Sequence, residues 1–269
     1  MDVTGKSETF DLFTHTNTGQ DLGMVDGKAE GLDITIGSKD FTIKQSPGVL
    51  QSTRAGGTTG AVVWKICVHF AAWLGSQTNS LFEKGVLHAQ STVIELGSGI
   101  SGLVPLMLGP RVCKMIATDQ QYVLKLLREN INVNQPKAKT KPPSNIEVLT
   151  LDWEEDDTRG FLRSHALEHG VDALIICDCI FNYALIQPLV QVCGEICRAR
   201  SSHEDGTTEA RKATVCIIAQ QLRQPDVLET WLRAFMETFR VWRIQGALLS
   251  EALGDSSGYV VHAGLLRDG

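Results

Sequence analysis

The sequence predicts an α/β fold: a mostly parallel, seven-stranded sheet with helices on both faces, preceded by an N-terminal β-hairpin. Three observations carry this reading. From residue 92 onward, short apolar runs alternate with segments of helical length, as in a parallel sheet with helical crossovers. The runs "ALIIC" and "VCIIA" are apolar throughout, as strands covered on both faces must be. In "VIELGSGISGL" (93–103), a strand ends in a glycine turn and a helix opens.

Taken in order, residues 1–30 are polar ("THTNTGQD") and read as a loose arm. "GLDITIGSKDFTIK" alternates on both sides of Gly37-Ser38, so that Ile34 and Ile36 answer Phe41 and Ile43 in a hairpin. "QSTRAGGTTGA" is a glycine-rich loop. "AVVWKICVHFAAWL" is apolar all round and predicts a buried helix over 61–75.

"STVIEL" is the first strand of the main sheet, followed by a helix over 100–109. "CKMIAT" is the second strand, and "QQYVLKLLRENINVN" an amphipathic helix with apolar residues at 123, 124, 127 and 131. "NIEVLTL" and "VDALIIC" are the third and fourth strands. "ALIQPLVQVCGEICRA" is a helix, "ATVCIIAQ" a strand and "PDVLETWLRAFMETF" a helix. "VWRIQGAL" and "GYVVHAGL" close the sheet as an antiparallel pair. The stretches 134–145 and 198–212 are polar, breaker-rich loops. The reading is one domain over 61–269, with 1–60 as an arm-and-hairpin appendage.

The chain has 269 residues, 43% hydrophobic and 21% charged, enough to bury a substantial core. Its net charge of −6 argues against nucleic-acid binding and polybasic membrane contact, and suits a basic partner. No apolar run reaches the roughly 20 residues of a membrane span, and the first residues lack a secretory signal pattern. Seven cysteines, an odd number set mostly in apolar runs, predict reduced, buried thiols and a cytoplasmic protein, with the nucleus as an alternative. Cys177-x-Cys179 and Cys193-x-x-x-Cys197 do not pair as metal knuckles, so no metal is expected. His69 and His262 read as structural histidines.

Gly97, Gly99 and Gly102 spell G-x-G-x-x-G between strand and helix, a loop built to let a nucleotide approach the backbone. Asp119 ends the next strand, twenty residues beyond Gly99, where an acid holds ribose hydroxyls or, alternatively, caps the following helix. Glu95 lies two residues before the first glycine. A carboxylate there repels a pyrophosphate and attracts an ammonium group, which favours S-adenosylmethionine over a dinucleotide. Asp152 and Trp153 follow the third strand, suited to an adenine amine and ring. Cys177 and Asp178 end the fourth, where an acid is costly unless it is useful.

The segments "TTGAVVWK", "VIELGSGISGL", "ATDQQYVLKLLRENI", "LDW" and "DCIFN" together resemble methyltransferase family 16, and "IKQSPGVLQSTRAGGTTGAVVWK" resembles its fungal ribosomal lysine methyltransferase branch. The resemblance spans roughly residues 20–265. It implies a Rossmann-like class I methyltransferase fold. It also implies S-adenosylmethionine as cofactor and the transfer of one methyl group to a lysine of a large-subunit ribosomal protein. It places Trp64, Gly97, Ser98, Gly99, Asp119, Trp153 and Cys177 around the cofactor. Asp178 becomes the expected catalytic residue, orienting the amine or holding its ammonium form on arrival. The sequence departs from the family's D-x-x-Y pattern: position 181 is Phe, so either Tyr183 substitutes or only the ring matters. The implied protein is a monomer with a protein substrate. The alternatives are a methyltransferase of a chaperone, a translation factor or a small molecule, a non-catalytic assembly factor, and an NAD-dependent oxidoreductase.

Overall fold

The computed structural model describes residues 5–15, 22–51, 58–135, 144–201 and 212–267. Parts of the predicted loops at 51–61, 134–145 and 198–212 lie outside the described residues.

The expected hairpin forms from β1 (Gly31–Ile36) and β2 (Lys39–Lys44), with Ile34 paired to Phe41 and Gly37 at φ +61° in the turn. Its inward residues Ile34, Ile36, Phe41 and Ile43 are buried. They join the core of the domain, and Asn130 and Asn134 hydrogen-bond to the backbone of Lys44 and Thr42. Two short turns of helix, α2 (Pro47–Leu50) and α4 (Ser80–Glu83), flank the longer α3 (Lys65–Gly75). The helix expected over 61–75 starts late because Trp64 is extended (φ −98°, ψ 141°) and residues 59–61 make a 3₁₀ turn.

The main sheet contains β3 (Thr92–Leu96), β4 (Lys114–Asp119), β5 (Ile146–Thr150), β6 (Ala173–Cys177), β7 (Val215–Gln221), β8 (Phe239–Arg243) and β9 (Tyr259–Leu266). Their order is β5-β4-β3-β6-β7-β9-β8. Strands β3 to β7 are parallel to one another, and β9 runs antiparallel between β7 and β8, as expected of the closing pair. The connecting helices are α5 (Leu103–Leu108), α6 (Gln121–Asn134), α7 (Thr158–Ser164), α8 (Ile186–Ser201) and α9 (Pro225–Thr238). Strand side chains alternate between two cores. Leu174 and Ile176 face α7, α8 and α9, while Ile175 and Cys177 face α3, α5, α6 and the hairpin. Burying each large aliphatic is worth about 1.5–3 kcal/mol before chain entropy is counted. The chain leaves β3 toward β4 and β5, then returns to β6 on its other side. That reversal opens a crevice at the carboxyl ends of β3, β4 and β6.

The predicted loose arm needs correction. Residues Gly5–His15 form a helix, α1, packed against α9 with Leu12 buried. The apolar set of this helix is too short to read as periodic, and its anchor is an acid. Glu8 is buried 3.3 Å from His262 of β9 and 3.6 Å from Arg243. Burial alone would raise the Glu8 carboxyl, but the hydrogen bond and charge of His262, with Arg243, outweigh it and hold it below the usual carboxylate range. Among the described residues no helix is long and apolar enough to cross a membrane.

Candidate active site

A cavity of about 310 Å³ occupies the crevice, within the size range of cofactor sites. Its floor is the turn after β3. Gly97 sits at φ +69°, and a Cβ there would lie 2.6 Å from Cys179 Sγ and 3.1 Å from the Trp153 ring. The turn is tied to β4, because Ser98 N–H donates to the Thr118 carbonyl and Gly99 N–H donates to Asp119 Oδ2 at 2.7 Å. A third tie, Ile100 N–H to the Gly60 carbonyl, fixes the segment before α3 over the turn. The helix expected over 100–109 is helical only over Leu103–Leu108, continued by a 3₁₀ turn.

Asp119 lines the cavity. Its Oδ1 accepts from the adjacent Gln120 N–H, and Gln120 rather than Asp119 occupies the N-cap of α6, so the capping alternative does not hold. Each oxygen has one protein donor and a lone pair to spare. Burial pushes this carboxyl up to about 6, against the two backbone donors.

Glu95 is not at the mouth of the loop, as its position in the sequence suggested. It is 2% exposed on the α3 side of β3, beneath the turn, and does not line the cavity. Burial pushes its carboxyl up to about 8, helped by nearby Asp119 and opposed by Ser98. At pH 7 it is therefore mainly protonated, and the argument that its charge repels a pyrophosphate loses force. Apart from each other, its Oε2 and Ser98 Oγ are buried without a hydrogen-bond partner, and so is Trp153 Nε1. Buried polar atoms are seldom left unpaired, and three gathered around one glycine turn suit a polar ligand.

Trp64 and Trp153 both line the cavity. The Trp64 indole donates to the Thr59 carbonyl, its backbone bridges Met24, and Arg223 lies over its ring at 4.9 Å. Cys177 is buried at the end of β6, with its Sγ 3.5 Å from Cys67 Sγ, and burial pushes its thiol well above the ordinary range. Cys179 lines the cavity too. Phe181 is a lining residue, while Tyr183 is 55% exposed and is not. Of the two sequence alternatives, only the ring at 181 stands at the cavity. His69 and His262 lie outside it, and no group among the described residues could hold a metal ion.

Asp178 lines the cavity at φ +59°, a left-handed conformation uncommon for any residue but glycine. It is not free. Arg223 donates from both terminal nitrogens to its two oxygens, at 2.9 and 2.6 Å, and Gln220 Nε2 adds a bond to Oδ1. The acid expected to orient the amine or hold its ammonium form therefore already carries an ion pair at the cavity. Arg223 was missed in the sequence, although "QQLRQP" follows a strand end and the same strand-end rule points to it.

A family model described as lysine methyltransferase matches residues 44–213. Ribosomal lysine N-methyltransferase 5 of Zygosaccharomyces rouxii is 31% identical over 74% of this chain and 71% of its own. A Schizosaccharomyces pombe protein named diaminohydroxyphosphoribosylamino-pyrimidine deaminase is 34% identical over 82% of this chain, which spans only 48% of that relative's length. The T. thermophilus 16S rRNA N2 G1207 methyltransferase, solved with AdoMet and guanosine, superposes with a TM-score of 0.53 at 14% identity, over 88% of this chain and 50% of its own. That likeness concerns the fold.

Proposed function

The chain belongs to this lysine methyltransferase family, and from that premise we propose that it transfers one methyl group from S-adenosylmethionine to a lysine of a large-subunit ribosomal protein. The observation that carries the cofactor reading is the floor of the cavity. Buried polar atoms of Glu95, Ser98 and Trp153 gather at the Gly97–Gly99 turn with bonding capacity left over, beside an acid with lone pairs to spare. These residues fit an amino-acid nucleoside. Asp119 would accept from its sugar hydroxyls, Trp153 would cover its base, and Glu95 would ionise beneath its ammonium. The relative named for ribosomal lysine methylation supports the acceptor, and so does the net charge of −6 against a basic ribosomal protein. The reading puts the activity with ribosomes or their assembly, in the cytoplasm or nucleus.

When bound, S-adenosylmethionine supplies an electrophilic methyl group. The chain supplies the conditions for an amine to receive it. A free lysine is protonated at pH 7, with a pKa of about 10.4. Walls made by Trp64, Cys177 and Phe181 disfavour the charged form, so the lysine leaves its proton to bulk water as it enters. What remains is alignment, which a preformed slot provides.

The test is methyl labelling of protein extract from cells lacking the protein, with mass spectrometry of the labelled band. A monomethylated lysine on a large-subunit ribosomal protein supports the reading. Label on a different protein overturns the acceptor, and a di- or trimethylated lysine overturns the single transfer. An absence of label under S-adenosylmethionine overturns the activity.

A further inference from the structure

We propose that Arg223 is a positioning and specificity residue that keeps the acceptor wall electrically neutral, so that the lysine is received as an amine and not as an ammonium. The inference rests on the methyltransferase reading above. Among the described residues, Arg223 is the only cationic side chain lining the cavity, and Asp178 is the only acid outside the Asp119–Asp152 end. The two form a bidentate pair with Asp178 3% and Arg223 20% exposed, so solvent screens it little.

The pair is held from every side. Gln220 Nε2 and Gln221 N–H donate to Asp178 Oδ1, and Gln221 Oε1 accepts from Arg223. Arg223 Nε donates to the Leu22 carbonyl, while the guanidinium stacks over Trp64. Leu22 belongs to a strap over α3: Lys65 N–H donates to the Gly23 carbonyl, and Val25 N–H to the Val63 carbonyl. One guanidinium thus joins the end of β6, the end of β7, the strap and the cavity tryptophan.

A lone carboxylate at 178 would attract the lysine ammonium and raise its pKa. Such a site would bind the form that cannot accept a methyl group. With Arg223 clamped on Asp178, the arriving ammonium meets a pair of zero net charge whose cation repels it. Desolvation then acts without opposition, and the neutral amine is the form received.

The proposal sets the direction of shift for three variants in the pH dependence of methyl transfer, at low concentration of extract protein from cells lacking the enzyme. Arg223→Met frees the carboxylate and moves the ascending limb to higher pH by about one unit or more. Asp178→Asn, a residue that tolerates the left-handed backbone, leaves an unopposed cation and moves the limb to lower pH. The double variant Asp178→Asn/Arg223→Met restores a neutral wall and returns the limb to the wild-type position. If Arg223→Met does not fold, the other two variants decide. Limbs that stay in place while rates fall overturn the proposal. A double variant that matches Asp178→Asn also overturns it, because Asp178 would then bind the ammonium itself. A wild-type protein that transfers no methyl group sinks the underlying methyltransferase reading as well, so the two failures are distinct.

Discussion

Asp119 Oδ2 accepts the backbone N–H of Gly99 at 2.7 Å, so the acid at the end of β4 holds the glycine turn at the end of β3. The two strands are neighbours, and this bond fixes the distance between the turn and the carboxylate. One side chain therefore shapes the floor and lines the cavity.

Gly97→Ala tests the floor. The new Cβ would press on Cys179 Sγ and the Trp153 ring at a positive φ. We expect a loss of about 1–3 kcal/mol in stability and at least tenfold weaker S-adenosylmethionine binding. Adding Cys179→Ala relieves the sulfur contact and recovers part of the stability, measured by denaturant unfolding.

Glu95 sets a pH dependence. Its carboxyl titrates near 8 in the fold and near 4.5 when free. Between those values the native state binds a proton that the unfolded chain has released, so stability falls as pH rises. Asp119 acts the same way up to about 6, leaving pH 6–8 to Glu95. Glu95→Gln should flatten that interval and raise stability at pH 8 by a few kcal/mol, at about 1.4 kcal/mol per pKa unit. Cofactor binding at pH 7 should release a proton in the wild type and not in the variant, read from binding heats in buffers of different ionisation enthalpy.

Phe181→Ala should reduce methyl transfer at least tenfold, while Tyr183→Phe leaves it unchanged, because only position 181 lines the cavity. Loss of transfer in Tyr183→Phe would return the hydroxyl to the mechanism.

Trp64→Ala should weaken cofactor binding with little loss of secondary structure. The side chain is half-buried and packs at the edge of the core. A collapse of the circular dichroism signal would make it a core residue.

Much of this was legible in the sequence. Strand runs such as "ALIIC" are apolar on both faces and admit few other readings, and Gly97, Asp119 and Trp153 sit at strand ends, where topology forces convergence. What was not legible depends on partners far along the chain. Helix α1 is anchored by Glu8 on His262, 254 residues away. Nothing local to Asp178 signals its partner Arg223, 45 residues on. The depth of Glu95 follows from strand register, which spacing to a glycine does not convey.

The glycine turn and Asp119 are together expected to hold S-adenosylmethionine. Calorimetric titration of S-adenosylmethionine and, separately, NAD into the wild type and Asp119→Ala tests it most directly. Saturable heat is expected with S-adenosylmethionine, at least tenfold weaker binding in the variant, and no heat with NAD. Tight NAD binding without S-adenosylmethionine heat, or unchanged affinity in Asp119→Ala, would contradict it.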